Sequence, residues 1–275
     1  MMTENNKKLT KSEKKIDDFI ENSSEEFLFM TIGEMAGILE VSEATISRYA
    51  RHMGYRDFKE MKAEVLKKHA GKGAARKLAG TLVKTQGFDM DGWLRQQQEC
   101  LERTREGLDR EEFEKGKDAI KNARHIYIHG KNASAAMAEL LFFRLRRLGI
   151  PVFLIPSGGS EVLEGLVHAT KEDVVILFSF SKLSEEGRMI LAYEKEAGYR
   201  TVAFTGRAYV PPEERADINL YVYRGEEDEY HSMTSAAAVE EALVITLTEE
   251  MGSQSAERLV RLQKLKKDYK EKKVR

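Results

Sequence analysis

Five short apolar runs in the second half of the chain constrain its fold more than any other feature. They occupy residues 126–128, 152–155, 174–178, 202–204 and 218–222, and stretches with helical periodicity separate them. Strands that alternate with helices form parallel sheets covered by helices, because each parallel crossover requires a long connection. We therefore predict an α/β domain with a doubly wound parallel sheet. A chain of 275 residues leaves room for a second domain beside it.

Two loops that follow predicted strands carry several hydroxyl groups. Residues 130–134 read Gly-Lys-Asn-Ala-Ser, and residues 179–184 read Ser-Phe-Ser-Lys-Leu-Ser. Ligands of such sheets bind where strands end and helices begin, and helix N-termini there attract anions. The serines of the second loop, with Lys182, suit an anion. The alternative is a plain serine N-cap, which would explain one of the three hydroxyls.

Residues 41–55 have the pattern of a short, capped, amphipathic helix. Ser42 is a natural N-cap. One apolar face follows at helical spacing, formed by Ile46, Tyr49, Ala50 and Met53. A helix that buries one face and offers Arg, Thr and Ser on the other suits the major groove of DNA. The residues that we expect to contact DNA are Ser42, Ala44, Thr45, Ser47, Arg48 and Arg51.

The segment before this helix completes a helix-turn-helix pattern. Residues 31–39 form a second short helical run, and Ala36, Val41 and Ile46 stand where a small residue and two apolar residues close the corner between helices. Glu40 occupies a turn position that often requires a positive φ, and Gly37 weakens the first helix. The alternative is an ordinary three-helix domain that binds no DNA.

Charge is unevenly distributed in this region. Residues 16–40 contain seven acidic residues and no Lys or Arg, whereas residues 42–72 contain eight Lys or Arg against four acidic residues. The excess of basic residues begins at the predicted recognition helix, where contacts to phosphates are needed. The same residues would also suit a solvated helix face.

The composition excludes several classes of protein. A single cysteine, Cys100, excludes a disulfide framework and a cysteine-rich zinc site. We expect no metal and no cofactor. The amino terminus is polar and no apolar run approaches the roughly 18 residues of a membrane span, so we expect neither a signal peptide nor a transmembrane helix. These features predict a cytoplasmic protein.

The run VSEATISRYARHMGYRDFKEMK at residues 41–62 resembles the recognition helix and the following helix of the RpiR family of bacterial transcription regulators. That family joins an N-terminal helix-turn-helix to a sugar isomerase (SIS) domain that binds phosphosugars. The SIS resemblance extends over about residues 111–251. We therefore predict a helix-turn-helix domain at 1–75, a helical linker at 76–110, a SIS domain at 111–251 and a basic tail at 252–275. The glycines expected to interrupt the helices around the linker are Gly71, Gly73 and Gly80.

The resemblance includes both loops of the predicted sheet. The family pattern Gly-x-Gly-x-Ser is matched by Gly130 and Ser134, and Ser-x-Ser-Gly-x-Thr/Ser is matched by the three serines of the second loop. Asn132 and Lys182 each replace a glycine of these patterns, which reshapes the pocket because glycine allows close approach of backbone to ligand. The effector site implied by the resemblance comprises Gly130, Asn132, Ser134, Ser179, Ser181, Lys182 and Ser184.

The resemblance implies a transcriptional regulator of sugar or amino-sugar metabolism, not an enzyme. A phosphosugar bound to the SIS domain would control its affinity for a double-stranded DNA operator. The alternative is a sugar-phosphate isomerase, because SIS domains also serve as catalysts. Such catalysis requires a general base, for which Glu161 and His231 are the candidates. A lone His near a strand end is more often structural.

Two helical stretches, 134–148 and 234–251, carry apolar residues around much of their circumference. One side can pack on the sheet, and we expect a partner subunit to cover the remainder. Burial within the monomer is the alternative. A homodimer or dimer of dimers would suit inverted half-sites in DNA, and the phosphosugar would shift the spacing of the two helix-turn-helix units.

Overall fold

The chain forms two compact units in the computed structural model, which describes residues 9–69, 73–85 and 89–271. The first unit contains the described residues up to Gln96 together with Gly225–His231, and the second contains the remainder. Within the described ranges no helix combines the length and apolarity that a membrane span requires. Gly71 and the extreme ends of the first and last predicted segments, residues 1–8 and 272–275, lie outside these ranges.

The first unit is built from helices whose starts are fixed by local side-chain bonds. Two of them begin with capping boxes, in which Thr10 or Thr31 accepts a backbone N–H from a Glu three residues later, and that Glu bonds back. The helices are α1 (Lys11–Asn22), α2 (Ser24–Phe29), α3 (Ile32–Leu39), α4 (Glu43–His52), α5 (Phe58–His69), α6 (Ala74–Thr85) and α7 (Met90–Gly107), the last of which continues into the second unit.

The segment from α3 to α4 has the predicted helix-turn-helix arrangement. Glu40 ends α3 in the left-handed region, with φ 52° and ψ 44°, which confirms the positive φ expected at the turn. The Val41 N–H then bonds to the Ala36 carbonyl at 3.0 Å. Ala36 and Ile46 are buried, and Val41 packs on the same core. The spacing of these three apolar residues therefore closes the corner as predicted.

Gly80 does not interrupt a helix, and the prediction for this glycine was wrong. It lies inside α6, where a Cβ atom would stand 2.0 Å from the Asp228 carbonyl oxygen. The segment Gly225–His231 passes α6 at this point, and the Tyr230 N–H donates to Thr81 Oγ1 at 2.8 Å. Gly80 is therefore required by the close approach of two segments of the first unit.

The second unit alternates helices and strands, as predicted from the apolar runs. Each predicted run coincides with a strand within two residues at either end. The elements are α8 (Arg110–Asn122), β1 (Ile126–Gly130), α9 (Ala133–Arg147), β2 (Val152–Leu154), α10 (Glu161–Glu164), β3 (Val174–Phe178), α11 (Glu185–Ala197), β4 (Arg200–Thr205), β5 (Ile218–Tyr221), α12 (Thr234–Met251) and α13 (Ser253–Glu271).

In the described part of the chain, the sheet is parallel throughout with the strand order β2-β1-β3-β4-β5. On one face Ile126 and Ile128 belong to a core shared with α9 and α12. On the other, Tyr127 and Leu177 belong to a core shared with α10 and α11. The chain reverses direction across the sheet between β1 and β3, so this pair marks the topological switch point. The doubly wound fold is confirmed.

Helices α9 and α12 are only partly covered by the second unit. Leu141 and Leu243 are fully buried in the core beneath them, whereas Phe143 and Ile245 are exposed. Within one chain, burial therefore accounts for one side of each helix and leaves an apolar stripe on the other.

Candidate functional site

Helix α4 presents the two faces that the sequence predicts. Ser42 is its N-cap, and its Oγ accepts the Thr45 N–H at 3.1 Å. Ile46, Tyr49 and Ala50 are buried in the core of the first unit. This burial fixes which side of α4 faces outward.

The residues predicted to contact DNA lie on the outer side of α4 or at its edge. Ser42, Ala44, Arg48 and Arg51 are exposed, and Thr45 and Ser47 are half-buried. A chain of hydroxyl contacts runs along this side: Ser42 Oγ lies 2.8 Å from Thr45 Oγ1, which accepts from Arg48 Nη2 at 3.3 Å. The structure brings all six residues onto one accessible surface, and their contact with DNA stays a prediction.

Helix α1 holds α4 through two polar contacts. The Tyr49 hydroxyl donates to Asp17, and burial followed by this bond raises the pKa of Tyr49. His52 Nδ1 lies 2.7 Å from Glu13 Oε1. The Thr10 backbone N–H, and after it His52, lower the pKa of Glu13 to about 2. Glu13 is therefore ionised at neutral pH, and it connects the end of α4 to the start of α1.

The second unit contains a cavity of about 180 Å³ at the carboxyl ends of β1 and β3, which we call the β1–β3 cavity. Parallel strands end at the same edge of a sheet, so the loops after them meet there. Six of the seven predicted effector residues line it: Asn132, Ser134, Ser179, Ser181, Lys182 and Ser184. The seventh, Gly130, is the last residue of β1. A Cβ atom on Gly130 would stand 2.4 Å from the Ser134 carbonyl oxygen, so the tight turn requires glycine.

Asn132 adopts backbone geometry that glycine would favour. Its φ is 54° and its ψ is −126°, and it makes no side-chain capping bond to α9. This conformation differs from the ordinary left-handed region that asparagine tolerates, which has a positive ψ. Such a backbone costs on the order of 1–3 kcal/mol, so the loss of the family's glycine is a strained substitution.

Residues 179–184, which we call the serine loop, contain one helix-capping hydroxyl and two hydroxyls that cap no helix. Ser184 is the N-cap of α11 and accepts the Gly187 N–H at 3.1 Å, so simple capping explains its oxygen. Ser179 is half-buried at the end of β3, and Ser181 and Lys182 are exposed. Capping therefore accounts for one of the three hydroxyls.

The cavity is also lined by three polar residues that the sequence analysis did not include in the site: His129, Lys131 and Arg224. Lys131 Nζ donates to Glu186 Oε1 at 2.6 Å, so its charge is compensated. Arg224 follows β5 by three residues, and His129 lies within β1. Their positions at strand ends were the available signal, because ligands of these sheets bind at that edge.

Arg224 carries an uncompensated charge in a half-buried position. Its guanidinium lies 4.0 Å from the centre of the Phe180 ring, and Nη1 lies 3.4 Å from Met233 Sδ. Among the described residues no carboxylate pairs with it, and its buried Nε has no hydrogen-bond partner. Burial lowers the pKa of Arg224 to about 10, so it stays charged at neutral pH. A buried guanidinium without a carboxylate is costly unless an anion joins it.

The two residues named for catalysis belong to different units. Glu161 is an exposed residue at the start of α10. His231 belongs to the first unit, where its Nε2 lies 2.9 Å from the Glu226 carbonyl and its Nδ1 lies 3.0 Å from Lys77 Nζ. Neither lines the β1–β3 cavity. In the described ranges, no cluster of His, Cys, Asp and Glu could hold a metal ion.

Comparison with known proteins assigns both units. Residues 1–72 match the helix-turn-helix domain of the rpiR family, and residues 119–248 match the SIS domain. An uncharacterized HTH-type transcriptional regulator of Haemophilus influenzae is 31% identical over 221 residues, covering 77% of this chain and 75% of that protein. The chain belongs to the RpiR family. It is a transcriptional regulator with a DNA-binding helix-turn-helix and a SIS domain.

Two solved structures share this fold. The sugar isomerase domain of an RpiR transcription factor from Sphaerobacter thermophilus is 25% identical with a TM-score of 0.58, covering 62% of this chain and 96% of that domain. The Vibrio vulnificus NanR protein, solved in complex with ManNAc-6P, is 19% identical with a TM-score of 0.58, covering 94% of this chain and 93% of that one.

Proposed function

We propose that this RpiR-family regulator binds a phosphosugar in the β1–β3 cavity and that occupancy of the cavity sets its affinity for a DNA operator. The observation that carries the proposal is Arg224, a half-buried cation with no carboxylate partner among the described residues. A phosphate supplies the missing anion and accepts hydrogen bonds from Arg224 and from the hydroxyls of Ser179 and Ser181. Helices α9 and α11 both begin at this cavity, and their N-termini favour an anion as well.

The size of the cavity favours a small ligand. Its volume of about 180 Å³ is below the range of roughly 300–1,000 Å³ that is usual for drug-sized ligands. A single phosphorylated monosaccharide suits this space better than a nucleotide or a disaccharide. The structural similarity to NanR, whose complex contains ManNAc-6P, supports the same class of ligand.

Covalent continuity supplies a route from the cavity to the DNA-binding unit. Arg224 lines the cavity, and the next residue begins the segment Gly225–His231, which belongs to the first unit. There Tyr230 bonds to Thr81 of α6, and its ring lies 6.1 Å from that of Trp93. A ligand that draws on Arg224 therefore acts on the end of a segment anchored on α6. A coupling of about 1–3 kcal/mol would change operator affinity roughly 5- to 150-fold.

The apolar stripe of α9 and α12 supports a homodimer. Phe143 and Ile245 are exposed on it beside alanines of the same helices. A second copy covers such a stripe at low cost, and a two-fold protein reads inverted half-sites about 34 Å apart or at multiples of that distance. A dimer of dimers would contain two such two-fold dimers, each able to bind a pair of inverted half-sites.

Regulation accounts for the site better than catalysis does. Relatives are named as transcriptional regulators, and the residues offered as general bases, Glu161 and His231, do not line the cavity. Incubation of the protein with pentose and hexose phosphates, followed by product analysis, is expected to return unchanged substrate. Interconversion of an aldose phosphate and a ketose phosphate would overturn this part of the proposal.

The decisive experiment is a thermal-shift screen of monosaccharide phosphates against the wild type and two arginine variants. Arg224→Gln removes the unpaired cation. Arg200→Gln is the control, because Arg200 is an exposed arginine at the amino end of β4, whereas the cavity lies at the carboxyl ends of the strands. We expect at least one phosphosugar to stabilise the wild type and Arg200→Gln but not Arg224→Gln. A screen in which no phosphosugar stabilises the wild type would refute the proposal.

A further inference from the structure

His129 is a buried polar side chain at the β1–β3 cavity. The proposed contacts with a phosphate do not involve it. It lies in β1, has 3% of its surface exposed and lines the cavity together with the serine loop. Alternate side chains of a strand share a face, so His129 lies on the same side of the sheet as Tyr127, towards α10 and α11.

Both ring nitrogens of His129 lack a hydrogen-bond partner among the described residues. The Pro156 carbonyl is close enough to favour a protonated ring, yet it makes no hydrogen bond of normal geometry with either nitrogen. Buried polar groups are almost always hydrogen-bonded, because leaving one unsatisfied is costly. Both hydrogen-bonding positions of this buried ring are therefore unused by the described residues.

The surroundings of His129 keep its ring neutral. Burial is the largest influence and lowers the pKa of His129 below its usual value, and the charge of Lys131 acts in the same direction. Glu186 and the Pro156 carbonyl oppose this shift without reversing it. A neutral imidazole offers one donor and one acceptor. A sugar hydroxyl also donates and accepts, whereas a phosphate dianion only accepts.

We propose that His129 binds a hydroxyl group of the sugar and determines the preference of the cavity for phosphosugars over other small anions. The inference rests on the proposed function and deepens it. Arg224 and the serine loop hold the phosphate, and His129 holds the uncharged part of the ligand. A neutral imidazole and a hydroxyl group can each donate and accept one hydrogen bond, so the ligand class is a phosphorylated sugar or polyol.

Isothermal titration with two kinds of probe tests this role. Inorganic phosphate reports the anion contacts alone, and a panel of glucose 6-phosphate, glucosamine 6-phosphate, N-acetylmannosamine 6-phosphate and arabinose 5-phosphate reports phosphate and sugar together. His129→Leu removes both hydrogen-bonding positions, whereas His129→Gln keeps a donor and an acceptor. We expect His129→Leu to weaken the best phosphosugar about 10-fold and to leave phosphate binding unchanged. We expect His129→Gln to recover part of the loss.

The other outcomes separate this inference from the proposed function. Phosphosugar binding by a folded His129→Leu protein that equals the wild type would overturn the role of His129 and leave the proposed function standing. An equal loss of phosphate and phosphosugar binding, with no recovery in His129→Gln, would overturn it too, because His129 would then support the site as a whole. Failure of the wild type to bind any phosphosugar would overturn both.

Discussion

Lys131 Nζ donates a hydrogen bond to Glu186 Oε1 across 2.6 Å, joining the turn after β1 to the first turn of α11. This bond is the largest of the influences that lower the pKa of Glu186 to about 2, so the Glu186 carboxylate is ionised at neutral pH. The two charges cancel beside the cavity. The positive charge available to a ligand therefore comes from Arg224 and Lys182.

The two single substitutions of this pair are expected to move ligand affinity in opposite directions, and the double substitution to leave it near the wild type. Lys131→Met leaves the Glu186 charge uncompensated and should weaken phosphosugar binding about 10-fold. Glu186→Gln frees the ammonium group and should strengthen binding by a similar factor. The double variant restores neutrality, so we expect affinity near that of the wild type. Titration calorimetry at low and high salt measures all four proteins. Additive effects of matching sign would contradict this account.

The elements that were predicted from sequence depend on local patterns. Helix α4 and the strands follow from side-chain periodicity, and the positive φ of Glu40 follows from its place in the turn. The two effector loops were also predictable, because parallel strands that end at one edge bring their loops together. Residues 179–184 and residues 131–134 accordingly line the same cavity.

What the sequence could not reveal depends on partners far away along the chain. Arg224 has the sequence context of an ordinary surface arginine, and only the structure shows that it is half-buried and that no carboxylate of the described residues pairs with it. His129 reads as one polar residue in an apolar strand. Gly80 reads as a helix breaker, since its contact with the Asp228 carbonyl joins segments that are distant in sequence. Charge compensation and close approach are tertiary properties.

Arg48→Ala is expected to remove sequence-specific operator binding while leaving the fold intact. Arg48 is exposed on α4, and alanine is a good helix former. Loss of one base contact should cost about 1–3 kcal/mol, or roughly 5- to 150-fold in affinity. Fluorescence anisotropy with a duplex selected for binding measures this. Arg56→Ala is the matched control, because Arg56 is an exposed arginine after the end of α4. If the Arg48→Ala protein keeps its preference for the selected DNA sequence, α4 is not the recognition helix.

Gly80→Ala is expected to abolish the effect of a bound phosphosugar on the affinity for operator DNA. The new Cβ would stand 2.0 Å from the Asp228 carbonyl oxygen, so the segment Gly225–His231 must shift on α6. We expect phosphosugar binding to persist within a few-fold and its effect on operator affinity to fall to near zero. Gly37→Ala is the control, because its Cβ meets nothing within 4 Å in α3. An unchanged operator response in Gly80→Ala would rule out this segment as the route.

Ile245→Glu is expected to dissociate the proposed dimer. Ile245 is 65% exposed on α12, within the apolar stripe. A carboxylate placed in a closed interface loses its hydration without gaining a partner, which is costly. Val260→Glu on α13 is a matched control, since Val260 is also 65% exposed but lies outside that stripe. Sedimentation equilibrium should give a monomer mass for Ile245→Glu and a dimer mass for Val260→Glu. Equal masses for the two variants would place the interface elsewhere.

Glu240→Gln is expected to stabilise the protein at alkaline pH and to change little at acidic pH. Glu240 is fully buried on α12, and within the described ranges neither carboxylate oxygen has a hydrogen-bond partner. Burial, and after it the charge of Glu241, raise the pKa of Glu240 from 4.5 to about 8, although Arg144 opposes the shift. The folded protein therefore keeps a proton that the unfolded chain releases above pH 4.5.

This difference in proton binding makes Glu240 destabilising as pH rises from 4.5 towards 8. The free energy of unfolding falls by about 1.4 kcal/mol per pH unit where only the folded state holds the proton, so the total is a few kcal/mol. Thermal unfolding at pH 5 and pH 8 should show a gap between variant and wild type only at pH 8. Glu241→Gln is the control, because Glu241 accepts a hydrogen bond from Arg144 at 2.9 Å and its removal should give no such gain. A gap of the same size at both pH values would mean that Glu240 is ionised in the folded protein.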